Sequence, residues 1–206
     1  MSVLLIRLVG PMQSWGVQSR FSIRDTGREP SKSGVVGLLC AALGRPREEP
    51  LEDLAALKMG VRVDKEGRLA KDYHTALNVV KSGGGIKECE PSTRYYLADA
   101  AFTIGLEGKR GVLEKLDASL RSPVWQLSLG RKSFLPSEPI PLPNDDAAIH
   151  EGDLQTVLRQ GASKDCRFVL EVPYGKGEPV MDQPISFASR TFHVRHVEHI
   201  PAQGEK

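Results

Sequence analysis

The sequence predicts an α+β fold: a core in the order β-α-β-β-α-β, a β-hairpin inserted between the second and third strands, and a smaller β-rich C-terminal lobe. Three observations predict it. Short apolar runs, several of them rich in β-branched residues, at 3–9, 59–63 and 101–106, alternate with stretches whose apolar residues recur at helical spacing. Two strand-like segments flank Lys81-Ser82-Gly83-Gly84-Gly85 between the second and third of these runs. A connector carrying Pro136, Pro139, Pro141 and Pro143 then leads into short strands and one short helix.

Each element has a local reason. Val3-Leu4-Leu5-Ile6-Arg7-Leu8-Val9 is almost continuously apolar, the pattern of a central strand, and Gly10-Pro11 ends it. Residues 12–30 are polar and irregular. Ser31 or Ser33 caps a helix whose body, 35–43, is apolar nearly all round and therefore buried; Gly44 and Pro46 close it. A short helix over 51–57 leads to the second strand at 59–63. Residues 73–80 and 93–97 read as the two arms of the hairpin, whose glycine tip has no side chains to pack and is expected to order against a partner. Residues 101–106 give a third core strand. Val112, Leu113, Leu116 and Leu120 mark the second helix, and Val124-Trp125-Gln126-Leu127 a fourth strand with Trp125 in the core. This order is the ferredoxin-like (RRM-like) arrangement shared by RNA-recognition folds. The expected division is a ferredoxin-like domain over 1–132, with a thumb insertion at about 74–96, and a β-rich lobe over 133–206, with a helix at 153–159 and strands at 167–172 and 191–200.

Composition narrows the class. The chain has 28 Lys and Arg against 26 Asp and Glu, a net charge of +2, which argues neither for nor against a nucleic-acid partner. Apolar residues make up 40% and charged residues 26%, which excludes a disordered chain. No window approaches the apolar length of a transmembrane span, and no basic segment precedes an apolar one at the N-terminus; neither a membrane partner nor secretion is expected. Cys40, Cys89 and Cys166 are too few and too widely spaced for a disulfide scaffold, which fits the cytoplasm.

Charge placement says more than the total. Residues 1–47 hold seven basic side chains (Arg7, Arg20, Arg24, Arg28, Lys32, Arg45, Arg47) and two acidic ones, Asp25 and Glu29. Residues 137–153 hold five acids and no Lys or Arg. A basic stripe on a near-neutral chain points to a local anionic partner, with a solvated surface as the alternative.

Pro30-Ser31-Lys32-Ser33-Gly34-Val35-Val36-Gly37 opens a helix with two hydroxyls, a lysine and free amides, the chemistry that holds phosphate. It lacks the Gly-Lys-Ser/Thr ending of a nucleotide-hydrolysing loop, and an ordinary serine cap beside a surface lysine is the competing reading. Trp15, between Gln13-Ser14 and Gly16, is the aromatic expected at a ligand. The central strands offer no stacking aromatics apart from Phe102, so reading of RNA by the sheet face is poorly supported. His193 and His199 share one face of their strand and His196 lies on the other, so zinc is not expected, and no cofactor is called for. No Gly-x-Ser-x-Gly elbow is present. Tyr73-His74 and Arg131-Lys132 supply residue types for acid–base cleavage of RNA, but nothing in the sequence brings them together.

Three blocks carry a resemblance: Leu4-Leu5-Ile6-Arg7-Leu8 with Pro11-Met12-Gln13-Ser14-Trp15-Gly16; Thr26 with Pro30-Ser31-Lys32-Ser33-Gly34-Val35-Val36-Gly37-Leu38-Leu39; and residues 122–133, Ser-Pro-Val-Trp-Gln-Leu-Ser-Leu-Gly-Arg-Lys-Ser. Together they resemble the CasD family of the RAMP superfamily, subunits of type I-E CRISPR Cascade surveillance complexes. The resemblance implies a non-catalytic subunit that caps one end of the complex and grips the 5′ handle of the crRNA. CasC backbone subunits, the large CasA subunit and other Cascade subunits are the implied protein partners. It implies an RNA-holding surface of Gln13, Ser14, Trp15, Arg20, Arg24, Ser31, Lys32, Ser33, Arg131 and Lys132. It also implies a thumb lying between CasC and the guide, carrying His74, Asn78, Lys81, Lys87 and Arg94. The alternative is a metal-independent endoribonuclease acting on precursor crRNA, as in type I-C relatives with a Tyr/Lys/His set. No histidine adjoins Arg131-Lys132, which counts against that, and in type I-E systems CasE is expected to do the cutting.

Overall fold

The computed structural model describes residues 1–16, 22–143 and 148–202. Strand β1 (Ser2–Val9) is buried along nearly all its length, as its continuous apolar run requires. After the two-residue strands β2 (Met12–Gln13) and β3 (Ile23–Arg24), helix α1 (Lys32–Leu43) begins at Ser31, whose Oγ accepts from the Gly34 N–H. It ends at Gly44 in the left-handed conformation and is buried on almost every side. The short helix α2 (Glu52–Ala55) leads into β4 (Lys58–Lys65), the hairpin strands β5 (Arg68–Val80) and β6 (Ile86–Ala98), and then β7 (Ala101–Gly108). Helix α3 (Arg110–Arg121) buries Leu113, Leu116 and Leu120 at the predicted spacing. Strand β8 (Ile149–Glu151) follows, then α4 (Leu154–Arg159), capped by Asp153, then β9 (Arg167–Val172), β10 (Glu178–Ser186) and β11 (Thr191–Ile200).

The architecture is mixed α+β and mostly sheet. Seven strands form one antiparallel sheet in the order β10-β11-β9-β4-β7-β1-β8. Alternation along β1 sends Leu4, Ile6 and Leu8 into one apolar cluster with α1 and α3, and Val3 and Leu5 into a second with α4. Both faces of the sheet are therefore covered. Among the described residues no helix is long and apolar enough to cross a membrane.

Three expectations change. Residues 124–127 are not a strand. Pro123 has no N–H to give a ladder, and the Val124 and Trp125 amides donate to Ala42 O (3.0 Å) and Ala41 O (3.1 Å), satisfying carbonyls at the end of α1. Trp125 is 48% exposed, so it is not a core residue. The edge beside β1 is taken by β8, paired from Ser2↔Glu151 to Leu4↔Ile149. On the other side β9 pairs with β4 from Gly60↔Leu170 to Val63↔Arg167, so the expected boundary at residues 132/133 falls within one hydrogen-bonded sheet. Strand β10 had no clear sequence signal because it carries Pro179 and Pro184; as an edge strand it tolerates both.

The second sheet belongs to the hairpin. Its arms are longer than predicted, pairing from Arg68↔Ala98 to Val80↔Ile86, and the Lys81 N–H donates to Gly85 O (3.1 Å) across the tip. The register places Leu69, Tyr73 and Leu77 on one face, all exposed. His74, Asn78, Lys81 and Lys87 are exposed and Arg94 is half-buried near the base. There the outer edge of β6 is paired antiparallel with β2 and parallel with β3.

Candidate nucleic-acid interface

At the hairpin base the three sequence blocks interlock. Gln13 is fully buried: its amide donates to Leu8 O (3.1 Å) and Ala100 O (2.9 Å), joining the ends of β1 and β7, and its Oε1 accepts from the Trp15 indole N–H (3.2 Å). Trp15 is 1% exposed and lies against the first turn of α1, where a Cβ at Gly34 would stand 2.8 Å from its ring. Ser14 meets the third block: its N–H donates to Leu129 O (3.0 Å), and a Cβ at Gly130, whose φ is +93°, would stand 1.8 Å from Ser14 O. Gly130 thus lets the chain pass close enough to set Arg131 in place. One Arg131 nitrogen donates to Tyr95 O (3.0 Å) and Arg24 O (3.3 Å), and the guanidinium lies 5.4 Å from the centre of the Phe134 ring.

Burial corrects three of the expected contacts. The Trp15 and Gln13 side chains are scaffold, not surface. Lys32 is 2% exposed, and its ammonium donates to both Glu171 oxygens (3.1 and 2.9 Å) and to Gln183 Oε1 (3.3 Å). Burial pulls its pKa below the ordinary lysine value, and Glu171 opposes the shift. The amide at the start of α1 already has an anion: the Lys32 N–H donates to Asp182 Oδ2 (2.7 Å), and Arg195 grips that carboxylate through Nε (2.6 Å) and a terminal nitrogen (3.0 Å). Asp182, on β10, occupies the place where a phosphate was expected, because an unsatisfied helix terminus accepts any well-placed carboxylate.

An open cleft of about 310 Å³ lies beside this scaffold. Of the expected residues it brings together Ser14, Trp15, Arg24, Ser31, Ser33 and Arg131. Gly16, Asp25, Gly34 and Gly130 complete that side, and Phe187 and Phe192 form the other. Arg24 and Lys132 are exposed, and Arg20 lies outside the described residues. Burial pushes the Arg131 pKa down, and Arg94 and Arg24 add to this by like-charge repulsion while Asp72 and Asp25 oppose it. The guanidinium stays charged at neutral pH, so the cleft wall is cationic. Phe187 and Phe192 carry no local signal of a site: Phe192 lies within the expected strand 191–200, and the contact of β10 with α1 brings both here. Among the described residues no group of three or more His, Cys, Asp or Glu is placed to hold a metal.

A protein with this two-sheet fold and cationic cleft falls in a defined class: residues 3–198 match the family described as CRISPR-associated protein (Cas5), and the chain belongs to that family. It is 32% identical to the CRISPR system Cascade subunit CasD of Escherichia coli (strain K12), over 94% of this chain and 95% of the relative. Two solved structures are similar over nearly the whole length. One is described as a Cas protein, with 42% identity, a TM-score of 0.77, and 98% of this chain and 96% of that chain covered. The other is from a CRISPR RNA-guided surveillance complex, with 30% identity, a TM-score of 0.83, and 97% and 90% covered.

Proposed function

We propose that this chain is a non-catalytic crRNA-binding subunit of a Cascade-type surveillance complex, holding the 5′ handle of the crRNA in the cytoplasm and capping a CasC backbone beside CasA. The observation that carries this is the cleft, which sets Arg24, Arg131 and the start of α1 around one opening in a chain of the Cas5 family. Exposed guanidinium and ammonium groups hold a ribose-phosphate chain by charge, without base chemistry. A ferredoxin-like core is supported by the strand order: β1 and β7 lie side by side in the centre, with β4 and β8 outside them. The thumb is the β5–β6 hairpin, carrying His74, Asn78, Lys81, Lys87 and Arg94. Residues 133–206 act with 1–132 through the shared sheet. In support of a non-catalytic role, no histidine lines the cleft among the described residues, so the residue type most used for acid–base cleavage is not at hand.

The test uses the reconstituted complex. Replacing Arg24, which lines the cleft, and Lys132, which adjoins Arg131 in the chain, together with Gln removes two exposed cations, and the slope of log affinity for handle RNA against log salt should flatten by about 1.4. An unchanged slope would remove the phosphate-holding role from this face. Incubation of the same complex with repeat RNA in EDTA should leave the RNA intact; site-specific products would assign the endoribonuclease activity instead.

A further inference from the structure

The geometry points to a nucleobase site in the same cleft: one base of the bound single strand is splayed out and stacks on Phe192, while Arg24 and Arg131 hold its flanking phosphates. This rests on the RNA-holding role proposed above and extends it from charge to base contact.

The cleft volume, about 310 Å³, stands at the lower end of small-ligand pockets and is enough for a single planar ring system. Its chemistry is divided. One wall is cationic, and Arg24 is close enough to Arg131 to shift its titration. The other is aromatic, from the two ends of the turn joining β10 to β11. Phe187 packs on the core, and a Cβ at Gly37 of α1 would stand 3.8 Å from its ring tip. Phe192 is half-buried and belongs to neither apolar core cluster. Among the described residues neither ring pairs with another aromatic. A simple anion has no use for two phenyl rings, and an aliphatic side chain has none for two guanidinium groups. A nucleotide satisfies both walls, with stacking on the ring and phosphate on the cations. The Ser33 hydroxyl, at the cleft edge and 3.4 Å from Ser31 Oγ, offers a donor or acceptor to the base edge.

The test is an abasic scan of handle RNA on the assembled complex with wild-type chain, Phe192→Ala and Phe192→Trp. In wild type, one abasic position should lose about 5- to 150-fold in affinity, the range expected for a single stacked base. Phe192→Ala should lose a similar factor with intact RNA, show no further loss at that one position, and keep the wild-type salt slope. Phe192→Trp should retain both affinity and the abasic penalty, which separates loss of stacking from loss of fold. Wild-type affinity for Phe192→Ala, or penalties at every position that simply multiply with the mutation, would overturn the base site. If that happens while Arg24→Gln with Lys132→Gln still flattens the salt slope, phosphate holding survives and stacking alone is refuted. If the slope is also unchanged, both fall.

Discussion

Gly130→Ala is expected to lower the melting temperature by roughly 6–20 °C, from a cost of about 3–5 kcal/mol. Two effects combine. The φ of +93° strains any residue with a Cβ, and that carbon would stand 1.8 Å from Ser14 O, a backbone atom that cannot rotate away. The Ser14 N–H is itself bonded to Leu129 O at 3.0 Å, so relief requires separating the two segments that position Arg131. Gly83→Ala is the control, because nothing lies within 4 Å of its Cβ position. It should change stability by no more than about 0.5 kcal/mol. Thermal unfolding of both variants decides the matter; equal melting temperatures for the two would show that the close approach at Gly130 does not exist.

Lys32→Met should destabilise the fold by about 3–5 kcal/mol, the cost of removing one partner from a buried ion pair. Four charged groups meet there: Lys32 and Arg195 against Glu171 and Asp182. Without the ammonium, Glu171 is left with the Met59 N–H (3.2 Å) and a more distant Arg195 (3.8 Å). That carboxylate, 17% exposed, then lacks its main counter-charge. Lys32→Met with Glu171→Gln should cost less than the two single changes added together, since the pair is coupled. Denaturant unfolding of the four proteins measures this coupling. The helix start by itself allows either a phosphate or an ordinary serine cap, and the resemblance places Lys32 on the RNA-holding surface. A Lys32→Met chain with wild-type stability and a flattened RNA salt dependence would restore that reading and dismiss the buried network.

Much of the frame is legible locally. The uninterrupted apolar run of β1, the serine cap and glycine stop of α1, the leucine spacing of α3, and the bounds of β9 and β11 all follow from nearest-neighbour chemistry. The site is less so. Gln13, Trp15 and Lys32 have the residue types of a ligand-binding surface, yet all three are interior, because each satisfies a partner that the local pattern cannot name. Glu171 lies 139 residues from Lys32, and Asp182 lies 150 away.

By itself, then, the amino-acid order determined β1, α1, β4, β7, α3, β9 and β11, where the hairpin enters, and which blocks mark the family. Only the tertiary structure decided that β8, not residues 124–127, completes the edge beside β1, that Asp182 fills the helix terminus, and that Phe187 and Phe192 face Arg24 and Arg131 across a cleft. The reason is physical: periodicity and capping act within a few residues, whereas burial, charge pairing and strand register are settled between segments far apart in the chain.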